Sequence, residues 1–258
     1  EKELAMGSNK TFTSEGTDTA ELVGPRYISI DPKQDSLNFI SPLAYYDYDS
    51  NLIKATQVKY IDIADARIFP DQEKLTVKSN AMLKTLENAK IIANRNTLYH
   101  SFYNATVNIT SRNAYYGKAD YDYVDELDQR QVIHFKTIQA ERNQPTTAKG
   151  DIVEVDHFRL SPNYAYQGKV FLSADNKYLT FDGAVLIETN CEQLPMCWVN
   201  FQSEIDPFNI YIPLADPLID INRNKIFNGI FVAYDSIHLY PAFMSERKNY
   251  SDKPIVTA

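Results

Sequence analysis

Residues 86–109 read LENAKIIANRNTLYHSFYNATVNI, and this stretch decides the fold class. It holds two copies of one pattern, beginning at Leu86 and Phe102: an apolar residue, any residue, a small or turn-prone residue, two further residues, and then alternating apolar positions. Such alternation is typical of a half-buried β-strand. The small third residue suits a bend or a close approach of neighbouring backbone. The stretch therefore predicts two strands.

The same loose pattern recurs along the chain. Further copies begin at Ile53, Ile63, Tyr115, Tyr166, Phe181 and Phe227. Interpreting each copy as one strand or rung predicts an all-β protein of stacked β-strand repeats with little or no helix: a β-solenoid, an open β-jelly-roll or an elongated sandwich. The alternative is a β-rich chain without true repeats. The only helix-like segment, 81–90, overlaps a copy and is predicted to be strand.

The chain is predicted to contain two regions. The polar connector ERNQPTTAKG, 141–150, separates an N-terminal β-repeat region, 1–145, from a C-terminal β-repeat region, 146–258. One continuous domain is the alternative. The chain opens at Glu1 and closes on the strand-like KPIVTA, which we interpret as a piece of a longer protein.

Composition excludes some classes of function. The 258 residues are 44% hydrophobic, enough for a real core, and 18 Tyr and 13 Phe favour half-buried pleated sheets. The formal net charge of -8 opposes nucleic-acid binding, which depends on clustered Lys and Arg. No stretch approaches the roughly 18 apolar residues of a transmembrane helix, so none is predicted.

Both cysteines lie in ETNCEQLPMCWVN, residues 188–200. Alternating, strand-like segments flank the pair, which places Cys191 and Cys197 at the two roots of one hairpin loop, where a disulfide can form. The spacing does not match a redox CxxC motif, and the further ligands of a cysteine zinc site are missing. The pair predicts a disulfide and an oxidising compartment outside the cytoplasm.

Carboxylates are densest in KADYDYVDELDQR, residues 118–130. Oxygen ligands at this density suggest a calcium site, with Asp120, Asp122 and Asp125 as candidates, or a glycosidase acid and base. The EF-hand pattern is not met. The favoured interpretation is structural: the neighbouring tyrosines pack inward, Asp120 and Asp122 face water, and residues 125–129 form a hairpin turn.

Other catalytic, metal-binding and nucleotide-binding motifs are missing from the sequence. The four histidines, His100, His134, His157 and His238, show no zinc-ligand spacing and are expected to pack or face solvent. There is no GxSxG elbow, Walker loop or GxGxxG fingerprint. We therefore predict no metal, no cofactor and no catalytic residue.

Several runs, among them VKYIDIADARIFPD from Val58 and YLTFDGAVLIETNC from Tyr178, resemble large, repetitive, uncharacterised β proteins of Bacteroidetes envelopes. The short units are also similar, more weakly, to the periplasmic bridge proteins of lipopolysaccharide transport (OstA-like), whose open β-jelly-roll shields an acyl chain. The resemblance further implies O-glycosylation at Asp-Ser/Thr triplets, which here contain Thr19, Ser36 and Ser236.

These observations lead to three hypotheses. The first is a non-enzymatic structural or interaction segment of a large exported protein, in the periplasm or at the surface of a Gram-negative bacterium. Its partners would be other envelope proteins or further β repeats of the same parent chain. The second is a β groove that binds lipid or glycan. The third is a polysaccharide-active β-helix enzyme that uses carboxylates such as Asp120 and Asp122.

Overall fold

The computed structural model describes residues 4–7, 24–78, 81–188, 196–232 and 239–245. They divide into two compact units: one from 1–122, 132–150 and 172–177, the other from 123–131, 151–171 and 178–258. Regular structure in the described residues is almost entirely β, with three short 3-10 turns at Pro32–Gln34, Asp71–Glu73 and Glu154–Asp156. The all-β prediction is confirmed, whereas the division into 1–145 and 146–258 stays a prediction.

The first unit holds all or most of thirteen strands. They are β1 (Leu4–Gly7), β2 (Arg26–Ser29), β3 (Asn38–Ile40), β4 (Leu43–Asp47), β5 (Leu52–Thr56), β6 (Ile61–Ile63), β7 (Ala66–Phe69), β8 (Leu75–Val77), β9 (Leu86–Ala93), β10 (His100–Ser111), β11 (Ala114–Val124), β12 (Arg130–Ala140) and β13 (Thr147–Ile152). Their hydrogen-bonded orders are β1-β2-β3, β4-β5-β8 and β13-β12-β11-β10-β9-β7-β6. Of the helix-like segment 81–90, residues 86–90 belong to β9, as predicted, whereas 81–85 precede the strand and only Leu83 forms an isolated bridge there, to Val77.

The second unit holds all or most of six strands. They are β14 (Arg159–Ser161), β15 (Tyr164–Ser173), β16 (Leu179–Ile187), β17 (Trp198–Ile205), β18 (Ile226–Val232) and β19 (Leu239–Ser245). Strands β14 to β17 pair in chain order, and β18 pairs with β19, always antiparallel.

The small third residues of the sequence pattern mark bends and close approaches. Asn88 and Asn104 have φ values of 52° and 48°, and the register of β9 against β10 shifts beside Asn104, between Phe102 and Ala105. A Cβ atom added to Gly117 of β11 would lie 2.0 Å from the Thr106 carbonyl oxygen of β10. The expected bend or close approach is therefore confirmed at these positions.

Stacked repeats are not seen in the described residues. Six copies of the pattern begin within single strands, but the copies from Ile53 and Ile63 each span two strands and the segment between them. Strand lengths run from three residues in β3 to twelve in β10, so the strands are not equivalent rungs. The solenoid, open jelly-roll and sandwich alternatives stay predictions.

Aromatic rings fill the interior of each unit. In the first, the rings of Phe102, Tyr121 and Phe135 contact one another, with centroids 5.7 to 6.0 Å apart. In the second, Phe181 contacts the rings of Tyr123, Phe158 and Tyr166 at centroid distances of 5.0 to 6.2 Å. Edge-to-face aromatic pairs stabilise a core beyond the area that they bury.

A search of the described residues for a helix long and apolar enough to cross a membrane found none.

Candidate functional site

Asp120 on β11 is held from both sides by the neighbouring strands. The Nδ1 atom of His134, on β12, lies 2.7 Å from its Oδ1 atom, and Asn104, on β10, donates from Nδ2 to its Oδ2 atom over 3.0 Å. The pair with His134 is partly exposed, with 75% of the His134 side chain and 23% of the Asp120 side chain accessible. Both carboxylate oxygens of Asp120 are therefore engaged across the sheet.

A shallow cleft of about 350 Å³ surrounds this pair, and Lys118 and Lys136 also line it. An aspartate can orient an imidazole for proton transfer, and lysines attract anionic groups. The site thus has the polar groups to contact an anionic or hydroxylated ligand. On the same strand, Asp122 accepts a 2.7 Å hydrogen bond from the Tyr103 hydroxyl of β10.

The turn between β11 and β12 depends on Asp125, which is fully buried. Its backbone N–H donates to the Gln129 carbonyl oxygen, and its Oδ1 atom accepts from the backbone N–H groups of Leu127 and Gln129 at 2.9 Å. This arrangement is an aspartate-capped turn. The predicted hairpin turn over 125–129 is confirmed.

The three candidate calcium ligands have separate roles. Asp120 binds His134 and Asn104, Asp122 accepts from Tyr103, and Asp125 caps the turn. Among the described residues, no group of three or more His, Cys, Asp or Glu side chains is arranged to hold a metal ion. The calcium alternative gains no support from these positions.

His100 is a packed core histidine, with only 1% of its surface exposed. Its Nε2 atom lies 2.7 Å from the Asn176 carbonyl oxygen and must donate to it, so Nδ1 accepts from the Tyr121 hydroxyl over 3.2 Å. Burial lowers the pKa of His100 and raises the pKa of Tyr121 to about 12. His134 and His157 are exposed, and His238 lies outside the described residues.

The predicted disulfide involves a residue outside the described chain, Cys191. Cys197 is half-buried and lies immediately before β17; its thiol donates to the Phe243 carbonyl oxygen over 3.4 Å. Burial raises the pKa of this thiol, with a smaller contribution from Asp220. The pairing of the two cysteines stays a prediction.

Of the three residues implied as glycosylated, only Ser36 is described. It is exposed and follows the 3-10 turn Pro32–Gln34, with a φ of 58°. Thr19 and Ser236 lie outside the described residues.

Sequence reasoning missed the contact between Asp120 and His134. The signal was present, because the two positions lie equally far from Leu127, the centre of the predicted turn. In an antiparallel hairpin, positions symmetric about the turn face each other.

Comparisons with protein-family models, curated proteins and solved structures found no match for the chain. No family is therefore assigned.

Proposed function

We propose that the chain is a non-enzymatic structural or interaction segment of a large exported cell-envelope protein of a Gram-negative bacterium. The observation that carries this proposal is that aspartate side chains form hydrogen bonds between neighbouring strands. Asp120 joins β11 to both neighbours and Asp122 joins it to β10. Cross-strand side-chain pairs of this kind stabilise a sheet.

Side-chain hydrogen bonds also join β9 and the residue before it to β10. Thr106 donates to the Glu87 carboxylate over 2.8 Å, and Thr85, just before β9, donates to the Asn108 side-chain oxygen over 2.6 Å. These polar side chains are thus hydrogen-bonded to neighbouring strands, as expected for residues with a structural role. This favours a scaffold over the polysaccharide-active alternative.

The interior of the second unit also favours a scaffold over a lipid groove. Tyr166 is buried and packs against Phe181 and Phe201 at centroid distances of 5.0 and 5.8 Å. Its hydroxyl donates to the Lys169 carbonyl oxygen over 2.7 Å. An acyl chain needs unfilled apolar volume, whereas this part of the interior is occupied by rings.

Strand β4 supplies a surface for a partner. Four side chains on or just after this strand are 45–84% exposed: Leu43, Tyr45, Tyr46 and Tyr48. By the two-residue period of a strand, the first two lie on one face and the last two on the other. Exposed apolar and aromatic side chains near a sheet edge mark sites of protein association. We propose that another envelope protein, or a further β repeat of the parent chain, binds here.

The exposed tyrosines also favour the second candidate, a glycan-binding module. The rings of Tyr46 and Tyr48 meet edge to face at 5.0 Å, and the Tyr46 hydroxyl donates to the Asn51 side chain over 2.7 Å. Exposed rings beside polar groups suit the apolar faces and hydroxyls of sugars. The proposed location, the periplasm or cell surface, is the same for both candidates.

An activity and stability experiment separates scaffold from enzyme. The purified chain, Asp120→Asn and Asp122→Asn are incubated with a panel of polysaccharides, and released reducing ends are measured beside urea unfolding. Asp49→Asn is the control, because Asp49 is exposed and its side chain has no partner among the described residues. We expect no turnover. We also expect Asp120→Asn alone or Asp122→Asn alone to lower the free energy of unfolding by about 1 kcal/mol or less. Turnover that either variant abolishes without loss of stability would refute the proposal.

A further inference from the structure

A second polar cleft, of about 440 Å³, lies in the first unit, and three arginines line it. Arg95 follows β9, Arg112 lies between β10 and β11, and Arg142 follows β12. Each is followed directly by asparagine in the sequence. This concentration of arginine stands out in a chain with a net charge of -8.

Positive charge is in excess around the cleft. Arg142 pairs with Asp35 at 2.7 Å, and Arg95 pairs with Asp62 at 3.1 Å. Asp62 is already bound by Arg67, through two hydrogen bonds of 2.9 and 3.2 Å. Three guanidinium groups therefore share two carboxylates, and Arg112 adds a fourth positive charge that neither carboxylate pairs.

Arg112 is the arginine that is most available to a ligand. Its side chain is exposed and has no ion-pair or hydrogen-bond partner among the described residues. Its backbone, in contrast, is fixed: the N–H donates to the Gln34 carbonyl oxygen over 3.0 Å, and its carbonyl oxygen accepts from the Ala64 N–H over 2.9 Å. The backbone of Arg112 is thus fixed, while its guanidinium group is available to bind a ligand.

The ion pairs at the cleft can rearrange around a ligand. Arg142 and Asp35 are 63% and 33% exposed, and Arg95 and Asp62 are 42% and 31% exposed. Pairs this accessible contribute little to stability, so an incoming anion competes for them easily. Guanidinium groups bind carboxylates and phosphates through two parallel hydrogen bonds.

The remaining lining favours a sugar over other anionic ligands. Of the eight residues that line the cleft, only Ala64 is apolar, so no surface is present for an acyl chain and no ring for a nucleobase. Asp35 and Asp62 can accept hydrogen bonds from hydroxyl groups, and Ser36 can donate. Asn113 can also donate, although its Nδ2 atom already donates to Asp35 over 3.3 Å. The volume falls in the usual range for small-ligand sites, about 300–1,000 Å³.

We propose that this cleft binds an acidic saccharide, whose carboxylate or phosphate contacts Arg112, Arg95 and Arg142 and whose hydroxyl groups contact Asp35 and Asp62. This goes beyond a scaffold role, because it gives the first unit a specific ligand class. It does not depend on where the protein is located or on the partner of β4.

Calorimetric titration tests the site. The probes are trigalacturonate, its methyl-esterified neutral form, glucose 6-phosphate and inorganic phosphate, each at millimolar concentration. Arg112→Gln removes the free guanidinium without breaking a contact in the protein. Arg223→Gln is the matched control, because Arg223 belongs to another exposed Arg-Asn turn and does not line the cleft.

We expect an acidic saccharide to bind, and its affinity to fall by about tenfold or more in Arg112→Gln but to stay unchanged in Arg223→Gln. Binding should also weaken at higher salt. Equal binding of the neutral ester, equal loss in both variants, or binding of inorganic phosphate alone would overturn the proposal. Failure of both acidic saccharides to bind would overturn it as well. None of these results bears on the scaffold proposal, which the polysaccharide and fractionation experiments test.

Discussion

Gly168 and Gly183 face each other on β15 and β16, so closely that a Cβ atom on Gly168 would lie 2.5 Å from the Cα atom of Gly183. The reverse distance, from a Cβ on Gly183 to the Cα of Gly168, is 2.6 Å. Gly168 also has a φ of 145°, which residues with a side chain rarely adopt. The two strands therefore require glycine at both positions.

We predict that Gly168→Ala or Gly183→Ala lowers the free energy of unfolding by about 2 kcal/mol or more, because backbone must move to admit the methyl group. Gly229→Ala is the control, since a Cβ atom there would meet nothing within 4 Å. Urea unfolding measures all three variants. A loss in Gly168→Ala no larger than that in Gly229→Ala would show that the close approach is not a constraint.

The third-position residues show how far the sequence predicts this fold. Alternating apolar positions predicted the strands, and the carboxylate-rich segment between two of them predicted the turn at 125–129. Both features are local in the chain. Gly at the third position predicted the close approaches at Gly117, Gly168 and Gly183. The same expectation is wrong at Gly229, the third residue of the copy from Phe227, because a Cβ atom there would meet nothing within 4 Å. Stacked repeats did not follow, because strand length and register depend on pairing between distant segments.

The polar sites were less predictable. Asp120 was identified from its local cluster, but the Arg95, Arg112 and Arg142 cleft was missed because its residues come from three separate turns. The recurring Arg-Asn pair was the only sequence signal. Nothing local indicates that three such turns meet, since contacts between distant loops are set by tertiary packing.

Thr146 links three segments of the first unit. Its buried hydroxyl donates to Asp65 over 2.6 Å and lies 2.8 Å from the Tyr115 hydroxyl, which therefore donates to it. We predict that Thr146→Val destabilises the protein by about 1–3 kcal/mol, because buried polar groups lose their partner. Thr146→Ser keeps the hydroxyl and should retain most of the stability in urea unfolding. An equal decrease in the free energy of unfolding in both variants would contradict a stabilising role of the Thr146 hydroxyl.

The buried His100 makes stability depend on pH. Burial lowers its pKa in the folded state below the ordinary 6.5, so the unfolded chain takes up a proton more readily. The contribution to stability is fully present above about pH 6.5 and is lost as the pH falls toward the folded pKa. We predict that His100→Gln flattens the decrease in stability below pH 6.5, whereas His157→Gln, at an exposed site, leaves it unchanged. An unaltered pH profile in His100→Gln would exclude this histidine as the cause.

If the chain is exported as we propose, Cys191 and Cys197 are predicted to be oxidised to a disulfide in the mature protein. We expect no alkylatable thiol before reduction and two after it, as read by mass spectrometry. Closing so short a loop contributes about 2 kcal/mol, so reductant should lower the stability by that amount. Two reactive thiols in the unreduced native protein would refute the disulfide.

Fractionation of cells that produce the native protein tests the central proposal most directly. An antibody against this chain is used to probe cytoplasmic, periplasmic and envelope fractions, with a protease-accessibility step on intact and permeabilised cells. We predict that the protein is found in the periplasmic or envelope fraction and is digested either on intact cells, if it lies at the surface, or once the outer membrane is permeabilised, if it lies in the periplasm. Recovery in the cytoplasmic fraction, protected from protease until the inner membrane is broken, would contradict its assignment as a segment of an exported envelope protein.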